Sequence, residues 1–541
     1  MSLADEILRL FPKPTFRPYQ EKTIKRMADH FETGGKVVLL EAPTGFGKSA
    51  VNTAFARYYN SFYATPQLAL IDQIKADKDL AKYYAVIKGR ENYKCYYEDV
   101  PVDLGPCARI KDFKCERFKL CPYWIAKLKA LRSKAVLTSF AYILLEGMAG
   151  EGFPFLGRRD LLILDESHSI DRHIIEHVSV EVSPYSLPVK LYEKYRKEIE
   201  RISKDGAKRT EVFEMLDEIY MKTSEYYDQL TLFGELTISN ARDKKKIERW
   251  RENYNRFLSS GIEDWVWSVQ WRWYKRERIP VLVIQPIKGS EIAQHILWWR
   301  APRVIISSAT ILDPNRFCDE SGILRVFKPD EILYLRVPST FPPENRPVVD
   351  VSEGRMSMEA RGEYFPRAVE IVREIIEKHR YENILIHAHS YELAEALARE
   401  LSKHYGGKIL THTSENRTDA LFEFKKGVGK VFISVAFTEG IDLPYDQCRV
   451  QVLFKTPYPD IKDRRVAVRL NRGEYNWYYL ETVKQAIQAY GRAVRAPDDR
   501  AVFYVVDGSF RWLCKRTWRW LPGWFKEVLP PTCRPKYEGG V

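Results

Sequence analysis

The run Val37-Val38-Leu39-Leu40, followed by Glu41-Ala42-Pro43-Thr44-Gly45-Phe46-Gly47-Lys48-Ser49, limits the possible folds more than any other part of the chain. Four consecutive apolar residues read as a strand buried on both faces, the kind found in parallel sheets. The stretch Ala50 to Tyr58 reads as a helix. Between them, Gly45 and Gly47 let the backbone curl so that its N–H groups meet phosphate oxygens. Thr44, Gly45, Gly47, Lys48 and Ser49 therefore read as a phosphate-binding loop, with Ala42 where a first glycine is usual. Lys48 is placed to reach the β- and γ-phosphates of a nucleotide, and Ser49 to ligate Mg²⁺. A chance glycine-rich turn is the alternative, but the flanking strand and helix are the context the motif needs.

A second buried-strand run, Leu161-Leu162-Ile163-Leu164, ends at Asp165-Glu166-Ser167-His168. A carboxylate at a strand tip beside the phosphate loop suits Mg²⁺, which assigns Asp165 to the metal. Glu166 is then the general base for water. His168 reads as a coupler of the two sites rather than a chemical group. Downstream, Gln485 to Arg495 reads Gln-Ala-Ile-Gln-Ala-Tyr-Gly-Arg-Ala-Val-Arg. On a continuous helix Gln488, Arg492 and Arg495 share one face. Arginines aimed at one point suit a developing phosphoryl charge. A basic surface helix would give the same pattern.

Cys95, Cys107, Cys115 and Cys121 lie between the phosphate loop and Asp165, separated by eleven, seven and five residues. Thiolates ligate iron–sulfur clusters and zinc. Zinc sites usually contain close Cys-x₂-Cys pairs, and none occurs here. The spacing favours a 4Fe–4S cluster, with zinc or unliganded thiols as the alternatives. Such an insert is too small for its own core, so metal ligation would supply its folding free energy. Cys318, Cys448, Cys514 and Cys533 are scattered and read as structural.

With these motifs in place, the chain resembles the XPD and DinG family of superfamily 2 DNA helicases. Ala42 to Ser49, Asp165 to His168 and Gln488 to Arg495 look like motifs I, II and VI. Arg17-Pro18-Tyr19-Gln20 resembles the adenine-reading motif, which implies Gln20 on the base. Ala64-Thr65-Pro66 resembles motif Ia, which implies Thr65 and Pro66 on the DNA backbone. Ser308-Ala309-Thr310 resembles motif III, and His387-Ala388-His389-Ser390 has the position of motif IV. Ser434 to Pro444 resembles motif V, which implies Glu439, Gly440 and Asp442 near the nucleotide. In this family an iron–sulfur insert lies between motifs Ia and II and often ends in Cys-Pro-Tyr, as at Cys121-Pro122-Tyr123 here. The spacing is shorter than in many members. The length and modest arch sit closer to compact prokaryotic XPD-like proteins than to DinG.

The resemblance implies two RecA-like α/β motor domains with doubly wound parallel sheets. Motor domain 1 is expected in three parts, residues 1–88, 126–176 and 279–338. An iron–sulfur insert is expected at 89–125, a mostly helical arch at 177–278, and motor domain 2 at 339–541. Val281 to Ile284 is read as a strand of the first motor half. The run Trp265 to Tyr274 largely alternates, which puts Trp265, Trp267, Trp271 and Trp273 on one strand face. An aromatic core is the favoured reading. A base-stacking platform with Arg272, Lys275 and Arg276 on phosphates is the other. His387 and His389 offer only two metal ligands and read as structural.

The chain's 541 residues exceed one core, and its 45% hydrophobic content excludes a disordered protein. A net charge of +13 favours a polyanion as partner. No signal peptide is visible and no run approaches ~18 apolar residues, so no membrane span is expected. A reducing prokaryotic cytoplasm suits free thiolates, with association to the nucleoid during action. The implied function is an ATP-dependent 5′–3′ DNA helicase, monomeric, acting on single-stranded and forked DNA in repair. Its cofactors are ATP, Mg²⁺ and the 4Fe–4S cluster. A non-unwinding DNA-dependent ATPase, a DinG-type enzyme on displaced or RNA-paired strands, and a redox-sensing module are the competing readings.

Overall fold

Runs with no polar alternation become strands covered on both faces. In the computed structural model, which describes residues 1–110, 112–148, 156–232, 236–413, 416–427, 429–435 and 442–536, such runs build two parallel sheets. The first half supplies β1 (Val37–Glu41), β2 (Ser61–Thr65), β3 (Ala85–Val86), β4 (Ala135–Ser139) and β5 (Leu161–Asp165). The chain then leaves through β6 (Val180–Val182) and a long hairpin, β7 (Trp265–Tyr274) with β8 (Glu277–Pro286), and returns as β9 (Arg303–Ser308) and β10 (Ile332–Arg336). Seven strands pair in the order β10-β1-β9-β5-β2-β4-β3, all parallel. The second half contains β11 (Val348–Gly354), β12 (Ile384–His387), β13 (Ile409–Thr411), β14 (Val431–Ser434), β15 (Val450–Leu453) and β16 (Val502–Asp507). These pair as β11-β16-β15-β12-β14-β13, again all parallel. Two RecA-like α/β motors are the result, as the strand–helix alternation leads one to expect.

The register of the first sheet builds the site. Glu41 pairs with Ser308, and Asp165 pairs with Ser307. The phosphate loop, motif III and the acidic pair therefore leave the same carboxyl edge side by side, where ligands of doubly wound sheets bind.

The excursion between β6 and β7 carries the helices Val189–Asp205, Arg209–Thr231 and Ile238–Ser259. Their apolar stripes, including Ile199, Leu216 and Trp250, join one core with Val281 and Ile284. That pairing corrects one expectation. Val281 to Ile284 lies in β8 of a separate antiparallel sheet, β6-β8-β7, and not in the first motor sheet. An apolar run alone does not reveal which sheet it joins. The four-cysteine insert is mostly short turns. Val102 and Leu104 are its buried hydrophobic side chains, and Leu104 packs on Leu230 and Ile247 of the neighbouring helices.

Behind the insert, helix Pro122–Arg132 is tied to the first motor half by buried charges. Glu146 accepts from Lys127 at 2.8 Å and from Arg300 at 3.2 Å, and all three side chains are buried. The tail packs on the second motor half, where Phe510, Leu513, Trp524 and Phe525 share a core with Leu480 and Ile487. No helix of the described residues is long and apolar enough to cross a membrane.

Replacing Glu146 by Leu removes the partner of two buried cations. A destabilisation of about 3–5 kcal/mol is expected, measured as a lower midpoint in denaturant or thermal unfolding. The double change Glu146→Leu, Arg300→Met is expected to recover part of the loss.

Candidate active site

The two motor halves meet at a cavity of about 460 Å³ over the carboxyl edge of the first sheet. From the first half it is lined by Thr44, Gly45, Gly47, Lys48, Ser49, Asp165 and Glu166. From the second it is lined by Asp442, Gln488, Arg492 and Arg495. A second cavity of the same size adjoins it and holds Gln20.

The loop needs both its glycines. Gly45 and Gly47 have φ of +83° and +85°, a region costly for other residues. A Cβ on Gly45 would stand 1.9 Å from the Phe341 ring of the linker between the halves, and one on Gly47 would stand 2.6 Å from the Gln20 amide nitrogen. Gln20 is itself fixed on the loop. Its amide donates to the Phe46 carbonyl at 2.7 Å, and its oxygen accepts from the Arg17 N–H at 2.8 Å.

Lys48 Nζ lies 3.0 Å from Glu166 Oε1 and donates to the Ala42 carbonyl at 3.3 Å. Burial raises both acidic groups, with different results. Glu166 is nevertheless held below its ordinary range by the Lys48 ammonium, with His168 and Arg492 adding to the pull. Asp165 is raised by burial and by the charge of Glu166, against the pull of Lys48. Glu166 also has a φ of +50°, an uncommon backbone for a non-glycine residue and of the sort found at functional sites.

Asp165 is aimed by side chains that sequence patterning did not single out. Tyr63 donates to its Oδ2 at 2.6 Å and Ser307 to its Oδ1 at 2.9 Å. Asn52 in turn donates to Ser307 at 2.8 Å. Ser49 Oγ is 3.5 Å from Asp165 Oδ2, so the two proposed Mg²⁺ ligands face each other. Tyr63 reads as an ordinary strand residue in the sequence. Only the β2–β5 pairing turns it toward the site.

Across the cleft, Gln488 donates to Thr310 Oγ1 at 2.7 Å and lies 3.4 Å from His168 Nδ1. Arg492 donates to Gln488 Oε1 at 2.9 Å, and Lys484 donates to the His168 carbonyl at 3.0 Å. Arg495 is paired with Asp442. One expectation of geometry is corrected here. Gln488 lies on the helix Tyr475–Tyr490, which stops before Arg492 and Arg495. Gly491 follows as its C-cap, and the two arginines come from the succeeding turn. They share a cavity with Gln488 but not a helix face, because the helix has ended at Tyr490.

Thr65 is fully buried and donates to the Gln67 carbonyl at 3.1 Å, while Pro66 lines the nucleotide cavity. His387 and His389 are held apart, the first 3.5 Å from Gln451 Oε1 and the second donating to the Tyr458 carbonyl at 3.0 Å. Burial pushes His387 down to about 4. Glu439 and Gly440 lie outside the described residues.

In the insert, Cys107, Cys115 and Cys121 open on one cavity of about 690 Å³. Cys95 lies under Gly105, where a Cβ would stand 2.9 Å from its sulfur. All four are free thiols, the donor type that an iron–sulfur cluster takes. Burial and then the neighbouring sulfurs push the Cys107 thiol up, against the pull of Arg90. Among the described residues, no three His, Cys, Asp or Glu side chains form a compact ligand group.

Comparison with known proteins agrees with the motifs. A helicase C-terminal domain model matches residues 372–528, and a model of the res subunit of type III restriction enzymes matches residues 13–204. An ATP-dependent DNA helicase DinG of Photobacterium profundum is 24% identical over 245 residues. That match spans 42% of this chain and about a third, 34%, of the relative. A solved XPD helicase superposes with a TM-score of 0.66 at 16% identity, covering 94% of this chain and 98% of the other. A solved apo XPD gives 0.59 at 16% identity, covering 93% and 99%. The resemblance read from the motifs is borne out as a likeness: a helicase C-terminal model matches the second half, and the fold is like that of the solved XPD structures.

Tyr63→Phe removes one donor to Asp165 and little else. The Mg²⁺ concentration for half-maximal ATPase is expected to rise about ten-fold or more, read from a Mg²⁺ titration of turnover. An unchanged requirement would show that Asp165 needs no such support.

Proposed function

We propose that the chain is an ATP-dependent DNA helicase that moves 5′ to 3′ along a single strand and opens duplex at a fork, in a DNA repair role. The observation that carries the reading is the single cleft to which both motor halves contribute. A nucleotide held by Lys48 and the loop would meet Gln488, Arg492 and Arg495 only when the halves close. Closure can then be coupled to stepping along a strand. Polarity and the repair role rest on the resemblance to XPD.

The chemistry follows from the residues. Water attacks the γ-phosphorus in line, ADP departs, and the water's proton passes to the Glu166 carboxylate. The Lys48 ammonium lowers the proton affinity of Glu166 until phosphate oxygens would take its place. Lys48 must exchange Glu166 for phosphate oxygens when nucleotide enters, which frees the base at the moment it is needed. Ser49 and Asp165 would hold Mg²⁺, which neutralises phosphate charge. Arg492 and Arg495 would meet the charge that develops on the transferred group.

Cys95, Cys107, Cys115 and Cys121 would hold a 4Fe–4S cluster, which would supply folding free energy to an insert that buries few apolar side chains among its described residues. Cys115→Ser is expected to lose iron and unwinding while nucleotide binding persists. Measured iron, visible absorbance and strand separation check this. Full iron with full unwinding would remove Cys115 from the ligand set.

Forked duplexes with a 5′ tail or a 3′ tail test the reading as a whole. Opening that depends on ATP and on the 5′ tail is expected. Failure to open either fork, with DNA-stimulated ATPase intact, would point to a translocase that does not separate strands.

A further inference from the structure

The β7–β8 hairpin divides its tryptophans unevenly. Alternation puts Trp265, Trp267, Trp271 and Trp273 on one face. At the inner end Trp265 is 4% exposed, and Trp267 lies 5.7 Å beneath the Arg464 guanidinium of the second motor half. The outer end emerges, with Trp271 41% and Trp273 54% exposed. The aromatic core expected of this stripe therefore covers only its first half. Helix Val189–Asp205 reaches as far as Trp271, whose indole N–H donates to Ser203 at 3.1 Å.

Charge at the outer end is equally uneven. Lys275, Arg276 and Arg278 are exposed, and Arg278 stands directly across from Trp273. None of the three forms an ion pair among the described residues. The nearby carboxylates are already taken, Glu277 by Arg196 and Glu181 by Arg272. Arg272, placed on phosphates by the alternative reading of this stripe, is thus neutralised, whereas Arg278 forms no ion pair among the described residues. The backbone beneath is fixed. The Tyr185 hydroxyl donates to the Trp273 carbonyl, and its ring meets Tyr274 edge-on at 5.3 Å. An ordered, uncovered indole among unneutralised cations has the two components of a single-strand site, a stacking surface and phosphate partners.

We propose that the tip of this hairpin is an outer binding site for unpaired DNA, with Trp273 stacked on a base and Lys275, Arg276 and Arg278 on the flanking phosphates. The proposal rests on the helicase reading and adds a contact beyond the motors. Trp273 stands six residues along the strand from Trp267, so the tip lies ~20 Å out from the motor contact. Short strands held by the motors alone would not reach it.

The test is fluorescence anisotropy with labelled oligothymidylates of about 8 to 40 nucleotides. ATPase stimulation by the same strands is followed in parallel. Trp273→Ala is expected to weaken the longest strands about ten-fold and to leave the shortest unchanged. Trp273→Phe is expected to restore most of the affinity. Joint replacement of Lys275, Arg276 and Arg278 by Ala is expected to lower the salt slope on long strands by about 2. Wild-type affinity at every length in Trp273→Ala or in the triple variant, or an equal loss at every length, would overturn the outer site while leaving the helicase reading intact. Absence of DNA binding and of stimulation in the wild type would overturn the helicase reading itself.

Discussion

The contact on which the catalytic arrangement depends is the one Gln488 makes across the cleft. Its amide meets Thr310 and His168 of the first motor half while its carbonyl oxygen holds Arg492. Thr310 follows β9 and His168 follows β5, so both belong to the carboxyl edge that carries the acidic pair. A side chain of the second half thus reads the position of the first through hydrogen bonds with little tolerance in distance or angle. Separation of the halves would remove these bonds and carry Arg492 and Arg495 away from the phosphates together. On the proposed reading neither half contains a complete site, and hydrolysis depends on closure.

Burial gives these bonds their weight. Lys48, Asp165, His168, Gln488 and Arg492 are all largely out of water. In such surroundings a charge or dipole acts strongly on its neighbours and is costly to leave unmatched. Lys48 and Glu166 satisfy one another. On the proposed mechanism, the group that accepts the proton is thus held ionised by the cation that binds phosphate. Entry of nucleotide would exchange one anionic partner of Lys48 for another without stranding a buried charge.

Much of this was legible in the sequence because the signals are local. A phosphate loop is set by glycines at fixed places after a strand, and Gly45 and Gly47 have the left-handed backbone that such a loop requires. Asp165 and Glu166 end an apolar run, and that run is β5. Signals that depend on pairing were not legible. Tyr63 and Ser307 become supports of Asp165 only through the strand order β9-β5-β2. Val281 to Ile284 looks like any buried parallel strand, yet it pairs antiparallel with β6 and β7. A helix face through Gln488, Arg492 and Arg495 requires a helix that continues past Tyr490, and it stops there, at a residue of low helix propensity, Gly491. The tryptophan stripe was correct as a face, but its burial is set by how far a neighbouring helix extends, which no local pattern encodes.

Gln488 bonds across the cleft, and on the proposed reading it ties hydrolysis to closure of the halves. The decisive measurement is ATP turnover and nucleotide affinity for Gln488→Ala, in the presence of single-stranded DNA. Loss of turnover by about 100-fold with nucleotide affinity within about three-fold of wild type is the predicted result, since the interaction serves the transition state and the loop still binds. Turnover that stays at the wild-type rate would contradict it and would mean that hydrolysis is completed within the first motor half alone.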